Sequence, residues 1–138
     1  MPPLIKNMGL YADLYELTML QGYYLSGRKD IPASFDYFFR ANPFEGGYVL
    51  FAGLSDLLEI LKNYRFSKQE CDYLASLGFR KEFLDYLGNF HFTGDVYAFR
   101  EGDVVFPNEP VVRVDGTLTE TQIIETVLLN ILNFESLI

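Results

Sequence analysis

The chain of 138 residues contains one cysteine, one histidine and no tryptophan. The lone Cys71 excludes a disulfide within the chain and fits a reducing compartment, so a cytoplasmic location is expected. Cys71 and His91 together cannot assemble the four ligands of a structural zinc site. Basic residues are scarce, 11 against 19 acidic ones, for a net charge of −8, and none form a run. Affinity for phosphate backbones comes from clustered Lys and Arg, so a nucleic-acid partner is not expected. No apolar run reaches the roughly 18 residues a membrane span needs. The opening MPPLIKNMGLYADLYEL has no charged segment leading into a long apolar one, so it is not expected to be a signal peptide. Phosphate-cradling loops of the GxGxxG or GxxxxGK[ST] type are missing, and Gly46-Gly47 reads as a turn.

What is present is apolar and aromatic. Hydrophobic residues make up 49% and Phe plus Tyr 17%, which favours a large core or an interface within one domain spanning 1–138. The stretch GLYADLYELTMLQGYY has helical spacing: Leu10, Leu14, Leu17 and Leu25 near one face, with Tyr11, Tyr15, Met19 and Tyr23 beside it. Asp13 and Glu16 have the spacing of a capping box, and Ser26-Gly27 stops the helix. In IPASFDYFFR, Phe35, Tyr37 and Phe39 alternate with Asp36 and Phe38, as in a strand. NPFEGG is a turn, and YVLFAG a second short strand.

Three helices are then expected. SDLLEILKNY turns Leu57, Leu58 and Leu61 inward; SKQECDYLASLG is capped by Ser67 and Glu70 and stopped by Gly78; RKEFLDYLG is closed by Gly88. From Phe90 to Gly116 the alternation and turns are those of short strands. The final stretch opens with two overlapping capping boxes, Thr117/Glu120 and Thr119/Gln122. It becomes apolar almost all round and carries no stop signal, so it should be one helix buried on several sides, packed on more chain or on another chain. The class is α+β, divided into 9–89, the β cluster 90–116 and the helix 117–138.

Residue chemistry alone offers few candidates. His91 sits at a strand start, where an edge role is the ordinary one. Cys71 lies between Glu70 and Asp72, which raise a thiol pKa rather than activate it. The carboxylates Asp95, Glu101 and Asp103 fall at turns, where acids serve the backbone. Arg40 closes the aromatic strand beside a Gly-rich loop and could meet an anion or simply form a surface ion pair. Tyr15 could stack on a heteroaromatic ring or simply pack in the core.

Three stretches in order narrow this. DLYELTMLQGY, FDYFFRANPFEGGYVLFAGL and GDVVFPNEPVVRVDGTLTETQIIETVLLNILNFESLI closely resemble the N-terminal part of nicotinate phosphoribosyltransferases. The resemblance implies an α/β-hammerhead-like domain of a type II phosphoribosyltransferase, preceding an α/β barrel that this sequence lacks. It implies formation of nicotinate mononucleotide from nicotinate and phosphoribosyl pyrophosphate, coupled to ATP hydrolysis with Mg²⁺, on the route from nicotinic acid to NAD. The barrel of such enzymes carries the catalytic histidine, which His91 does not match, so no catalytic residue or metal ligand is expected within 1–138, and this stretch alone should be inactive. A homodimer with shared active sites is implied. Tyr15 would then stack on the pyridine ring in the neighbouring subunit, with Asp13 bordering that site and Arg40 contacting phosphate. The residue after Arg40, often basic in similar enzymes, is Ala41. Two other readings remain: a stand-alone oligomerisation or interaction module, or a related nicotinamide or quinolinate phosphoribosyltransferase.

Overall fold

The computed structural model describes residues 9–138, so the first eight residues of the stretch read for a signal peptide lie outside the described residues. The elements run α1 (Leu14–Leu25), β1 (Pro32–Tyr37), a 3-10 turn (Pro43–Glu45), β2 (Val49–Leu50), α2 (Leu54–Asn63), α3 (Lys68–Ser76) and α4 (Lys81–Gly88). They continue β3 (Asp95–Ala98), β4 (Val104–Val105), β5 (Val112–Thr117), α5 (Leu118–Ile123) and α6 (Glu125–Leu137). This is the expected α+β order, with one break added near the end. None of the described helices is long and apolar enough to cross a membrane.

The strands form two antiparallel sheets. One has the order β1-β5-β3, with Phe35 opposite Val114 and Tyr37 opposite Val112; the other pairs β2 with β4. Alternation along β1 buries Tyr37 and exposes Asp36, as a strand with one solvated face requires. The helices cover the other face. Leu17 and Leu20 of α1, Leu57 and Leu61 of α2, Phe83 and Leu87 of α4 and Leu132 of α6 all reach one core.

The aromatic surplus has a specific destination. Tyr64, Phe66 and Phe90 form an edge-to-face triangle, with centroids 6.0, 6.1 and 6.2 Å apart. Each such pair contributes about 0.5–1.5 kcal/mol beyond its burial. Tyr64 is fully enclosed, and burial holds its phenol far above the ordinary value.

Two of the expected capping boxes form in both directions, Ser67/Glu70 and Thr117/Glu120. The others do not. Asp13 occupies the N-cap of α1 without a side-chain cap bond, and Glu16 turns into the core instead. The Thr119 hydroxyl donates to the distant Lys29 carbonyl, and Gln122 Nε2 donates forward to Glu125, so the second box is spent on other partners. Leu14 and Leu25 are exposed because α1 rests on Glu16, Leu17 and Leu20. Leu58 is likewise outward, with Ile60 buried in its stead. Gly88 stays within α4, and Asn89 caps it. The last helix is two: Ile124 caps α5 at φ −87°, ψ −5°, and α6 restarts at Glu125. Burial on several sides holds for α5 and for Val127 and Leu128, but Leu129 and Phe134 point outward.

Gly53 begins α2 at φ 101°, and a Cβ there would lie 3.3 Å from the Glu135 side chain. That carboxyl is pushed up to about 7, first by a hydrogen bond shared with Asp56, then by burial and by the Asp56 and Glu101 charges. Gly53→Ala is expected to lower stability by about 1–2 kcal/mol in denaturant melts, through left-handed backbone strain and this crowding. A loss below about 0.3 kcal/mol would show that the turn relaxes freely.

Candidate functional site

The first turn of α1 carries Asp13 and Tyr15. The Asp13 carbonyl accepts from Glu16 N at 3.0 Å and Leu17 N at 3.4 Å, and this starts the helix. Its carboxylate makes no cap bond and stays at the surface, where the helix N-terminus favours an anion. Tyr15 is 52% exposed, so the core reading of this tyrosine fails. The reason is angular. Leu17, Leu20 and Glu16 take the inward face, and Tyr15 projects beside it. Glu125 raises the Tyr15 phenol above its ordinary value, with burial, Glu16 and Asp13 adding smaller effects. The ring is therefore neutral, flat and half-open in an acidic setting.

Glu125 was not singled out in the sequence. It sits in the first turn of α6, held by Gln122 Nε2 at 2.9 Å, and no signal marked it because its position depends on the α5–α6 break. It also lines a cleft of about 150 Å³ between sheet and helices, with Phe35, Tyr37, Thr121 and Leu128. Small-molecule pockets usually start near roughly 300 Å³, so this cleft cannot enclose a substrate unaided.

Arg40 is exposed beyond the end of β1, on a different element from Asp13 and Tyr15. Among the described residues it makes no ion pair or side-chain hydrogen bond, with those two or with any other. The turn after it carries strain that the sequence did not announce. Phe44 and Glu45, at φ 55° and 56°, take the left-handed conformation, whereas Gly46 is extended at φ −73°. Each non-glycine residue held this way costs on the order of 1 kcal/mol. Phe44 is 85% exposed at its tip, and the buried Oδ1 of Asn42 has no partner among the described residues.

His91 is exposed, with Nδ1 3.3 Å from the Asn89 carbonyl, and makes no hydrogen bond to an acid or nucleophile among the described residues. The Cys71 thiol is pushed up by burial and then by Glu70, Asp72 and Asp85, the reverse of activation. Among the described residues no three His, Cys, Asp or Glu side chains converge to hold a metal ion.

The family model for the nicotinate phosphoribosyltransferase N-terminal domain matches residues 10–133. The chain belongs to that family. A nicotinate phosphoribosyltransferase of Bacillus subtilis is 44% identical over 133 residues, which are 96% of this chain and 27% of the relative. One from Mycobacterium tuberculosis is 44% identical over 130 residues, 94% of this chain and 28% of its own length. Among solved structures, human nicotinic acid phosphoribosyltransferase superposes at TM-score 0.82 with 35% identity, over 88% of this chain and 25% of that one. The chain thus spans about a quarter of the length of the nicotinate phosphoribosyltransferases it matches, and what it shares with them is the N-terminal α+β domain.

Proposed function

We propose that this chain serves as the N-terminal domain of a nicotinate phosphoribosyltransferase, which joins nicotinate to the ribosyl group of phosphoribosyl pyrophosphate and releases pyrophosphate. The match across residues 10–133 carries this reading. In it ATP hydrolysis is coupled to the reaction, Mg²⁺ accompanies the phosphates, and the product enters NAD biosynthesis in the cytoplasm. The protein works as a homodimer, and neither nucleic acid nor membrane is a partner.

Tyr15 is the substrate-facing residue of this domain. Nicotinate is flat and anionic, and a half-open tyrosine ring offers it a stacking face. The acidic surroundings of Tyr15 supply no counter-charge for its carboxylate, so that cation comes from outside this turn. Asp13 borders the site, and Arg40, unpaired among the described residues, contacts phosphate. The oxocarbenium-like centre that develops as pyrophosphate leaves needs positioned charges that this acidic domain lacks, so the domain alone is inactive.

The test is turnover by the full-length enzyme with nicotinate, nicotinamide and quinolinate in parallel. Nicotinate is expected to be strongly preferred; preference for either alternative overturns the substrate assignment. Tyr15→Ala should raise the nicotinate KM by about tenfold or more. An unchanged KM would remove Tyr15 from the site.

One observation favours a second reading, an interaction module. Tyr11, Ile131, Phe134 and Leu137 line an open groove of about 750 Å³ along α6, where Phe134 is 65% exposed. Sedimentation of the 138-residue chain separates the two. A cooperative, monodisperse oligomer supports the module, and aggregation supports a domain that needs the remainder of an enzyme.

A further inference from the structure

Three helices of this domain carry a glutamate at the third helical position, and the three differ in one respect. Glu70 uses Oε2 to accept from Ser67 N at 2.6 Å, closing its cap, and Oε1 to accept from Leu10 N at 3.3 Å, 60 residues away. Glu120 uses Oε2 for Thr117 N at 2.8 Å and Oε1 for Thr93 N and Oγ1, both at 2.6 Å. In each, one oxygen caps the helix and the other ties it to a distant segment. Glu16 makes only the second kind of bond. Its Oε1 accepts from Thr126 Oγ1 at 2.9 Å, while the fully buried Oε2 has no partner among the described residues.

We propose that Glu16 is a positioning residue for the site at the first turn of α1: its bond to Thr126, made instead of the cap, sets that turn against α6 and fixes how Tyr15 is presented. The geometry gives it the reach. Thr126 lies in the first turn of α6, next to Glu125, the residue with the largest influence on the Tyr15 phenol. One hydrogen bond between residues 110 apart therefore aligns the two turns that flank Tyr15. The Asp13 side chain likewise makes no cap bond and stays at the surface. The ionisable groups facing Glu16 are Glu125 on α6, Asp13 ahead of α1, Tyr15 on its own helix and Tyr64 beyond α2, none of them cationic. This role in presenting Tyr15 to a pyridine substrate rests on the function proposed above; the latch itself does not.

Amide hydrogen exchange in the full-length enzyme, read over residues 9–138, tests the latch. Glu16→Ala is expected to speed exchange at residues 16–19 by at least tenfold, with α3 and α4 unchanged. Glu16→Gln keeps the acceptor without the charge and, near pH 5, should return exchange to within about twofold of the parent. Thr126→Val removes the donor at constant shape and should reproduce the alanine result if Glu16→Ala fails to fold. Uniform acceleration across all helices, or no rescue by glutamine, would overturn the proposal. In the full-length enzyme, Glu16→Ala should raise the nicotinate KM more than it lowers kcat, and Glu16→Gln should leave the KM near the parent's. If Tyr15→Ala leaves the KM unchanged, the substrate reading falls, and the exchange result alone decides the latch.

Discussion

Glu120→Ala is expected to destabilise the domain by about 3–5 kcal/mol, enough to abolish much of a typical small domain's stability. Glu120 is 5% exposed and sits where β5 turns into α5. Its carboxylate accepts from Thr117 N, Thr93 N and Thr93 Oγ1 at 2.6–2.8 Å, all short enough to be charge-assisted. Burial pushes its pKa up, but the hydrogen bonds from Thr117 and Thr93 outweigh burial and hold the carboxyl below its ordinary value. Removing the side chain breaks these bonds and leaves donors in a half-buried place without partners. It also opens the capping box of α5 and frees the segment leading into β3. Denaturant unfolding with the slope monitored is the measurement. Glu120→Gln should lie between alanine and the parent, since it keeps the shape and loses the charge. An alanine loss under about 1 kcal/mol would mean that water replaces all three bonds at no disadvantage.

Glu16→Gln is expected to act in the opposite direction, and only at higher pH. Burial, then the nearby Glu125 and Asp13 charges, push the Glu16 carboxyl up to about 7 from an ordinary value of 4.5, against the opposing Thr126 and Asp13 hydrogen bonds. A folded-state pKa above the unfolded one makes its contribution fully present below about 4.5 and lost as pH rises through about 7. By linkage the shift is worth about 3 kcal/mol, which relaxation around the buried charge reduces to about 2 kcal/mol. Glutamine carries no charge to bury. The variant should match the parent near pH 5 and exceed it by about 2 kcal/mol at pH 8. Glu135 also titrates near 7 in both proteins, so the difference between the two curves, rather than either curve, reports Glu16. Parallel curves across this range would show that Glu16 is ionised in the fold without penalty.

These two glutamates show how far the sequence could be read. Both stand three residues after an N-cap residue, and local spacing treats them alike. Glu120 does cap its helix. Glu16 does not, because Thr126 lies within 2.9 Å and the inward face of α1 has room for a carboxyl beside Leu17 and Leu20. The same competition explains Tyr15. Helical spacing puts Tyr15 next to apolar neighbours, but with Glu16 turned inward the ring falls outside the core. The resemblance to nicotinate phosphoribosyltransferases pointed to Tyr15 where periodicity did not, and the family match over residues 10–133 agrees with the resemblance. Neither identified Glu125, whose position depends on a helix break that the largely apolar stretch from Ile123 to Leu132 conceals.

Periods of hydrophobicity, turn residues and two capping boxes were enough to determine the α+β class and the order of its helices and strands, because each is a local property of a few consecutive side chains. Tertiary structure decided the rest. The pairing of β1 with β5, the division of the last helix at Ile124, the left-handed Phe44 and Glu45, and the inward turn of Glu16 all depend on partners far away in the chain. A hydrogen bond to a residue 110 positions away leaves no periodic trace in the sequence, and neither does the packing that buries Glu16 with Leu17 and Leu20 and leaves Tyr15 open.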